Sequence, residues 1–166
     1  LSIFQRQIEF IQKSGIVTAM VGLLMALPKT RLYKRLEETK RIIKMAATGN
    51  NTKITSLNFI PKMDKNTLIN GYKKVISTIY SPKAYYERIK TFLREYKPKK
   101  KKAQRLNIYY LRAFFSSIWY LGIKQRGRLY YWKLILWSLL KRPGLFPYAI
   151  GFSLTGLHLR ALAQAC

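Results

Sequence analysis

The feature that most constrains this chain is the apolar run Ile16–Leu27, IVTAMVGLLMAL, which stops at Pro28. Only Thr18 and Gly22 interrupt it, the near-continuous pattern of a parallel strand covered on both faces. Pro28 has no N–H to give a ladder, so the strand ends there. Thr30 then stands where an N-cap belongs, and Leu32, Tyr33, Leu36 and Ile43 follow at helical spacing. Upstream, Phe4, Ile8 and Ile11 share one helical face that Ser14 and Gly15 close. Helix, strand, helix is one repeat unit of an α/β fold, and a parallel strand needs neighbours that this chain hardly offers. The sequence therefore predicts that residues 1–45 are the end of a larger α/β domain whose other strands lie elsewhere.

The rest reads as helical. Residues 46–63 are a polar loop opening with AATGNNTK, with a short extended segment at Thr55–Ile60 stopped by Pro61. Residues 64–96 hold two amphipathic helices: Asp64 caps one with Leu68, Ile69, Tyr72, Val75, Ile76 and Ile79 inward. Ser81-Pro82 opens the other with Tyr85, Tyr86, Ile89, Phe92, Leu93 and Tyr96 inward, and the short break between them predicts a hairpin. Residues 97–105 start KPKKKK and read as a basic linker. Residues 106–166 carry three aromatic-rich apolar segments, each broken by a basic residue or histidine, so that interfacial or bundled helices are favoured over spanning ones. The fold class expected is mainly α: a helical hairpin and aromatic-rich helices appended to a helix-strand-helix remnant of an α/β barrel.

Composition excludes most independent chemistry. The only cysteine is Cys166 and the only histidine His158, so neither a zinc set, a two-histidine site nor an iron–sulfur cluster can be built from these residues. Six carboxylates, with no Ser–His–Asp set and no phosphate loop, leave no catalytic or metal-ligating residues to nominate. The lone thiol and the lack of a cleavable leader point to the cytoplasm. Net charge is +26, and residues 96–166 contain no acid, so anions or an acidic partner must neutralise the field. Basic and aromatic residues together raise two partner readings. Lys99, Lys100, Lys101 and Lys102 with Trp119, Trp132 and Trp137 are candidate contacts for an anionic membrane, at the inner face in a cytoplasmic protein. A nucleic-acid surface is disfavoured, because no binding motif accompanies the tyrosines and tryptophans.

Several stretches resemble a known family. GLLMALPKTRLYKRL, residues 22–36, is similar to the last barrel strand and turn of cobalamin-dependent radical S-adenosylmethionine enzymes, where Leu-Pro-Gly-Thr precedes a Leu-Tyr-x-x-Leu helix. GNNT (49–52), SLNFIPKMD (56–64), GYKKVISTIYSPKAYYERIKTFLREY (71–96) and RPGLFPYAIGFSLTGLHLRAL (142–162) resemble the domain of unknown function that closes many of them. Lys29 stands where that family usually has glycine. The resemblance implies a parent protein that holds S-adenosylmethionine, a four-iron cluster and cobalamin, with the barrel and the cobalamin domain upstream as partners and none of these cofactors bound by this chain alone. It implies further that Met25, Ala26 and Leu27, at the carboxyl end of the strand, contact S-adenosylmethionine, and that Asn50, Asn51 and Asn58 line the substrate mouth.

Overall fold

The computed structural model describes residues 2–43, 57–98 and 108–164, and these are mainly helical. Helix α1, Ile3–Lys13, starts where the Ser2 hydroxyl accepts from the Gln5 amide (3.3 Å) and ends at Gly15, whose φ of +66° suits glycine. Helix α2, Arg31–Glu38, is capped by Thr30, whose hydroxyl accepts from the Tyr33 amide at 3.2 Å. Helices α3, Lys65–Ile79, and α4, Pro82–Glu95, begin at the Asp64 and Ser81 caps read from the sequence. Helix α5, Ile108–Ser117, runs into π-helical turns over Ile118–Lys124; α6 is Arg128–Lys141, and a 3₁₀ turn at Pro143–Leu145 leads into α7, Phe146–Gln164.

Ile16–Leu27 differs from the strand expected of it. It has no regular secondary structure, bends at Val17 and Thr18, joins no ladder among the described residues, and is covered on one face rather than two. Val17, Ala19 and Val21 pack on the helices while Ile16, Met20 and Leu24 face outward, Met20 almost fully. Side chains take the place of a neighbouring strand along one edge. The carbonyl of Val17 accepts from Arg88 (3.3 Å), that of Ala19 from the Tyr80 hydroxyl (2.6 Å) and that of Val21 from the Tyr72 hydroxyl (3.3 Å). Backbone groups that a sheet would satisfy are thus met by α3 and α4.

Helix α2 is shorter than its apolar repeat predicts. Lys40 takes a φ of +55°, its amide donates to Glu37 and that of Arg41 to Leu36, a Schellman closure that ends the helix before Ile43. Ile42 instead forms an antiparallel bridge with Phe59, framed by bonds from the Ile43 amide to Asn58 and the Ile60 amide to Arg41. β-Branched Ile42 and Ile43 suit this extended pairing better than a helix end.

One core joins α1, the Ile16–Leu27 segment and α3 to α7. Val75, Ile79, Ile89, Leu93, Leu121, Leu134 and Ile135 are at its centre, each fully buried aliphatic side chain contributing about 1.5–3 kcal/mol. Helix α3 packs chiefly on α1, and α4 chiefly on α6 and α7. Ala26, Leu36 and Phe59 form a second, smaller cluster with Leu32, Tyr33 and Ile42 around it. With few acids available, buried cations turn to carbonyls and ring faces. Arg88, fully buried, donates to the Ile79 carbonyl at the end of α3 and to Gln12, and lies over the rings of Tyr80 and Tyr85. Arg160 donates to Tyr86, and Arg142 closes the end of α4 through the carbonyls of Arg94 (3.0 Å) and Tyr96 (2.7 Å).

Candidate functional site

A concavity of about 700 Å³ lies where the second half of the Ile16–Leu27 segment meets α1, α2, residues 57–63 and α3. Its wall is apolar: Leu23, Leu24, Leu57, Phe59 and Met63 contribute, with Tyr72 at the α3 side. Among the described residues three cations, Arg35, Arg41 and Lys62, share the lining, and no carboxylate does. Arg41 is fixed there by its bonds to the Ile60 carbonyl. Chemically the cleft suits an apolar body with an anionic group. Among the described residues no cluster of His, Cys, Asp and Glu could hold a metal ion.

Two residues expected at the site are joined directly. The Asn58 carboxamide accepts from the Ala26 amide (2.9 Å) and donates to the Ala26 carbonyl (2.6 Å), pairing with the backbone as a neighbouring strand would. Both are buried, so their polar groups face each other rather than the cleft. Met25 is half-buried and Leu27 exposed beside them. Asn50, Asn51 and Lys99, Lys100, Lys101 and Lys102 lie outside the described residues. Trp119 is exposed under Lys124, Trp132 donates to the Gly122 carbonyl at 3.2 Å, and the Trp137 ring lies against both Lys90 and Arg94.

Sequence reasoning passed over Arg35, Arg41 and Lys62, which carry no local signal because any solvated helix or loop bears such residues. It also passed over Arg88, for which there was a signal: Arg88 sits on the same stripe as Tyr85, Ile89 and Phe92, where a charge needs a reason. The tyrosines of that region are core. Burial pushes the hydroxyls of Tyr80, Tyr85, Tyr86 and Tyr131 upward in pKa, and Tyr85 donates to the Phe152 carbonyl at 2.7 Å. Their faces are not open for base stacking.

Residues 30–166 match the family described as domain of unknown function DUF4070. The chain belongs to the DUF4070 family. The matched stretch of this DUF4070 chain begins at Thr30, the cap of α2, and takes in every later element. The chain is also 31% identical over 147 residues to a Synechocystis sp. protein named as an uncharacterized methyltransferase, a match covering 87% of this chain and 27% of that protein. It therefore spans about a quarter of the length of that curated relative. No solved structure matches it.

Proposed function

We propose that this DUF4070 chain is the C-terminal region of a cobalamin-type radical S-adenosylmethionine enzyme of the methyltransferase class, providing the last barrel strand and a helical platform that shapes the substrate side. The observation that carries this reading is Ile16–Leu27: an apolar non-helical segment with one edge held by Arg88, Tyr80 and Tyr72, and with Ile16, Met20 and Leu24 turned outward. The opposite edge, which joins no ladder among the described residues, is a pairing template of the kind a native protein covers or blunts. The methyltransferase-named relative, nearly four times the matched length, leaves room for a barrel to do so.

The implied cofactors fit these residues unequally. A four-iron cluster does not fit, since the sequence holds one cysteine and such clusters take several thiolates. Cobalamin chemistry has no ligand among the cleft residues either. Contact with S-adenosylmethionine at the strand end would be apolar, through Met25 and Leu27, because Asn58 already occupies the amide and carbonyl of Ala26. What this chain supplies is position: Asn58 fixes the strand end, and the cleft with Arg35, Arg41 and Lys62 receives part of the substrate.

The test is anaerobic purification and reconstitution of the complete polypeptide that carries this chain, followed by iron and sulfide analysis and an assay for S-adenosylmethionine cleavage. A four-iron cluster with cleavage activity is expected. A polypeptide that takes up no cluster would rule the reading out.

A further inference from the structure

Away from the cleft, α6 is apolar on both sides. Tyr131, Leu134, Ile135 and Ser138 face the core, yet Leu129, Trp132, Leu136, Leu139 and Leu140 are exposed, Leu129 by 69% and Leu140 by 80%. The preceding π-helical turns add Trp119, Tyr120 and Ile123, each about half exposed. The two surfaces adjoin, because the Trp132 indole donates to the Gly122 carbonyl and a Cβ on Gly122 would touch its ring. A helix that is hydrophobic all round needs a cover. Here the cover must also accept cations: Lys124, over the rings of Trp119 and Tyr120, with Arg126, Arg128 and Lys133, all exposed, and Lys141 at the far end of α6. No acidic residue follows Glu95 in the sequence to pair with them.

We propose that this face is a docking surface for an anionic lipid bilayer, with α6 lying in the interfacial plane. Charge complementarity selects this occupant. A protein cover would bury Lys133, which sits between Trp132 and Leu136, and would need carboxylates in register with it. At a bilayer the lysine stem runs along the apolar surface while its ammonium reaches headgroup phosphates, and tryptophan and tyrosine settle at headgroup depth. Among the described residues no helix is long and apolar enough to cross a membrane, so contact would be in plane. This inference does not rest on the enzymatic reading above.

The experiment is co-sedimentation of the complete polypeptide with vesicles of phosphatidylcholine containing phosphatidylglycerol, against phosphatidylcholine alone, with tryptophan emission recorded. Binding to the anionic vesicles with a blue shift is expected. Leu136→Glu with Leu140→Glu should weaken it by about tenfold or more, whereas Lys73→Gln with Lys74→Gln on the exposed side of α3, an equal change of net charge, should leave most of it. Trp119→Ala with Ile123→Ala tests the same face through side chains outside α6, should the leucine pair impair folding. No binding to anionic vesicles, or equal loss in the leucine and lysine pairs, overturns the proposal. So does a leucine pair that abolishes self-association in gel filtration and leaves vesicle binding intact, which would assign the face to a second copy of the chain.

Discussion

Asn58 shows how much one side chain can decide. Its carboxamide meets both backbone polar groups of Ala26 in a site closed to water, so Asn58→Ala leaves a buried amide and carbonyl unpartnered. At about 1–3 kcal/mol for each of the two unmet groups, stability should fall by about 2–6 kcal/mol in denaturant titration. A loss below about 1 kcal/mol would mean that water reaches Ala26. Lys29 is the opposite case, a residue whose own conformation works against the fold. Its φ of +67° is left-handed, costing a residue with a Cβ about 1–2 kcal/mol, whereas glycine takes that conformation freely. Lys29→Gly should raise the thermal midpoint, with a net gain of about 0.5–1 kcal/mol once the greater freedom of glycine in the unfolded chain is counted. The cap residues Thr30, Asp64 and Ser81 were legible because each bonds an amide three residues on, whereas the Ser2 cap emerged only in the structure.

At the scale of elements, two glycines set how closely helices approach. A Cβ at Gly156 of α7 would enter the ring of Tyr85, which is fully buried on α4 and anchored to Phe152. A Cβ at Gly71 of α3 would meet the ring of Phe4 on α1, which is only half-buried and can swing outward. Alanine gains about 1 kcal/mol of helix propensity at either place, but overpacking costs about 1–3 kcal/mol where nothing can yield. Gly156→Ala should therefore destabilise, and Gly71→Ala should be nearly neutral, in thermal melts. The reverse order would show that α7 can move off α4. Helix α2 marks where element-level reading failed: the repeat runs on to Ile43, but pairing with Asn58 and Phe59, far along the chain, claims Ile42 and Ile43 first.

For the whole molecule, the notable property is a core that stores tyrosines and arginines under a charge of +26. Burial raises Tyr80, Tyr85, Tyr86 and Tyr131 above the ordinary phenol value of 10.0. In the unfolded chain these hydroxyls lose their protons first, so the unfolded state binds fewer protons and stability falls as pH rises past about 10 toward the folded values. Denaturation midpoints should be level below that pH and drop above it, with a separate increment in tyrosinate absorbance that coincides with unfolding; the full absorbance of all twelve tyrosines reached in the intact fold would show the four buried rings to be accessible. The amino-acid sequence by itself determined the helical class, the caps at Thr30, Asp64 and Ser81, the inward stripes of α3 and α4 and a non-helical apolar run up to Pro28, though not its state as a strand, because periodicity and bonds spanning a few residues are local physics. Tertiary structure alone decided which face of that run turns inward, that Asn58 closes on Ala26, that α3 leans on α1, and that Arg88 is enclosed. Those outcomes depend on groups tens of residues apart competing for the same backbone atoms and the same buried volume, and no local pattern encodes which of them wins.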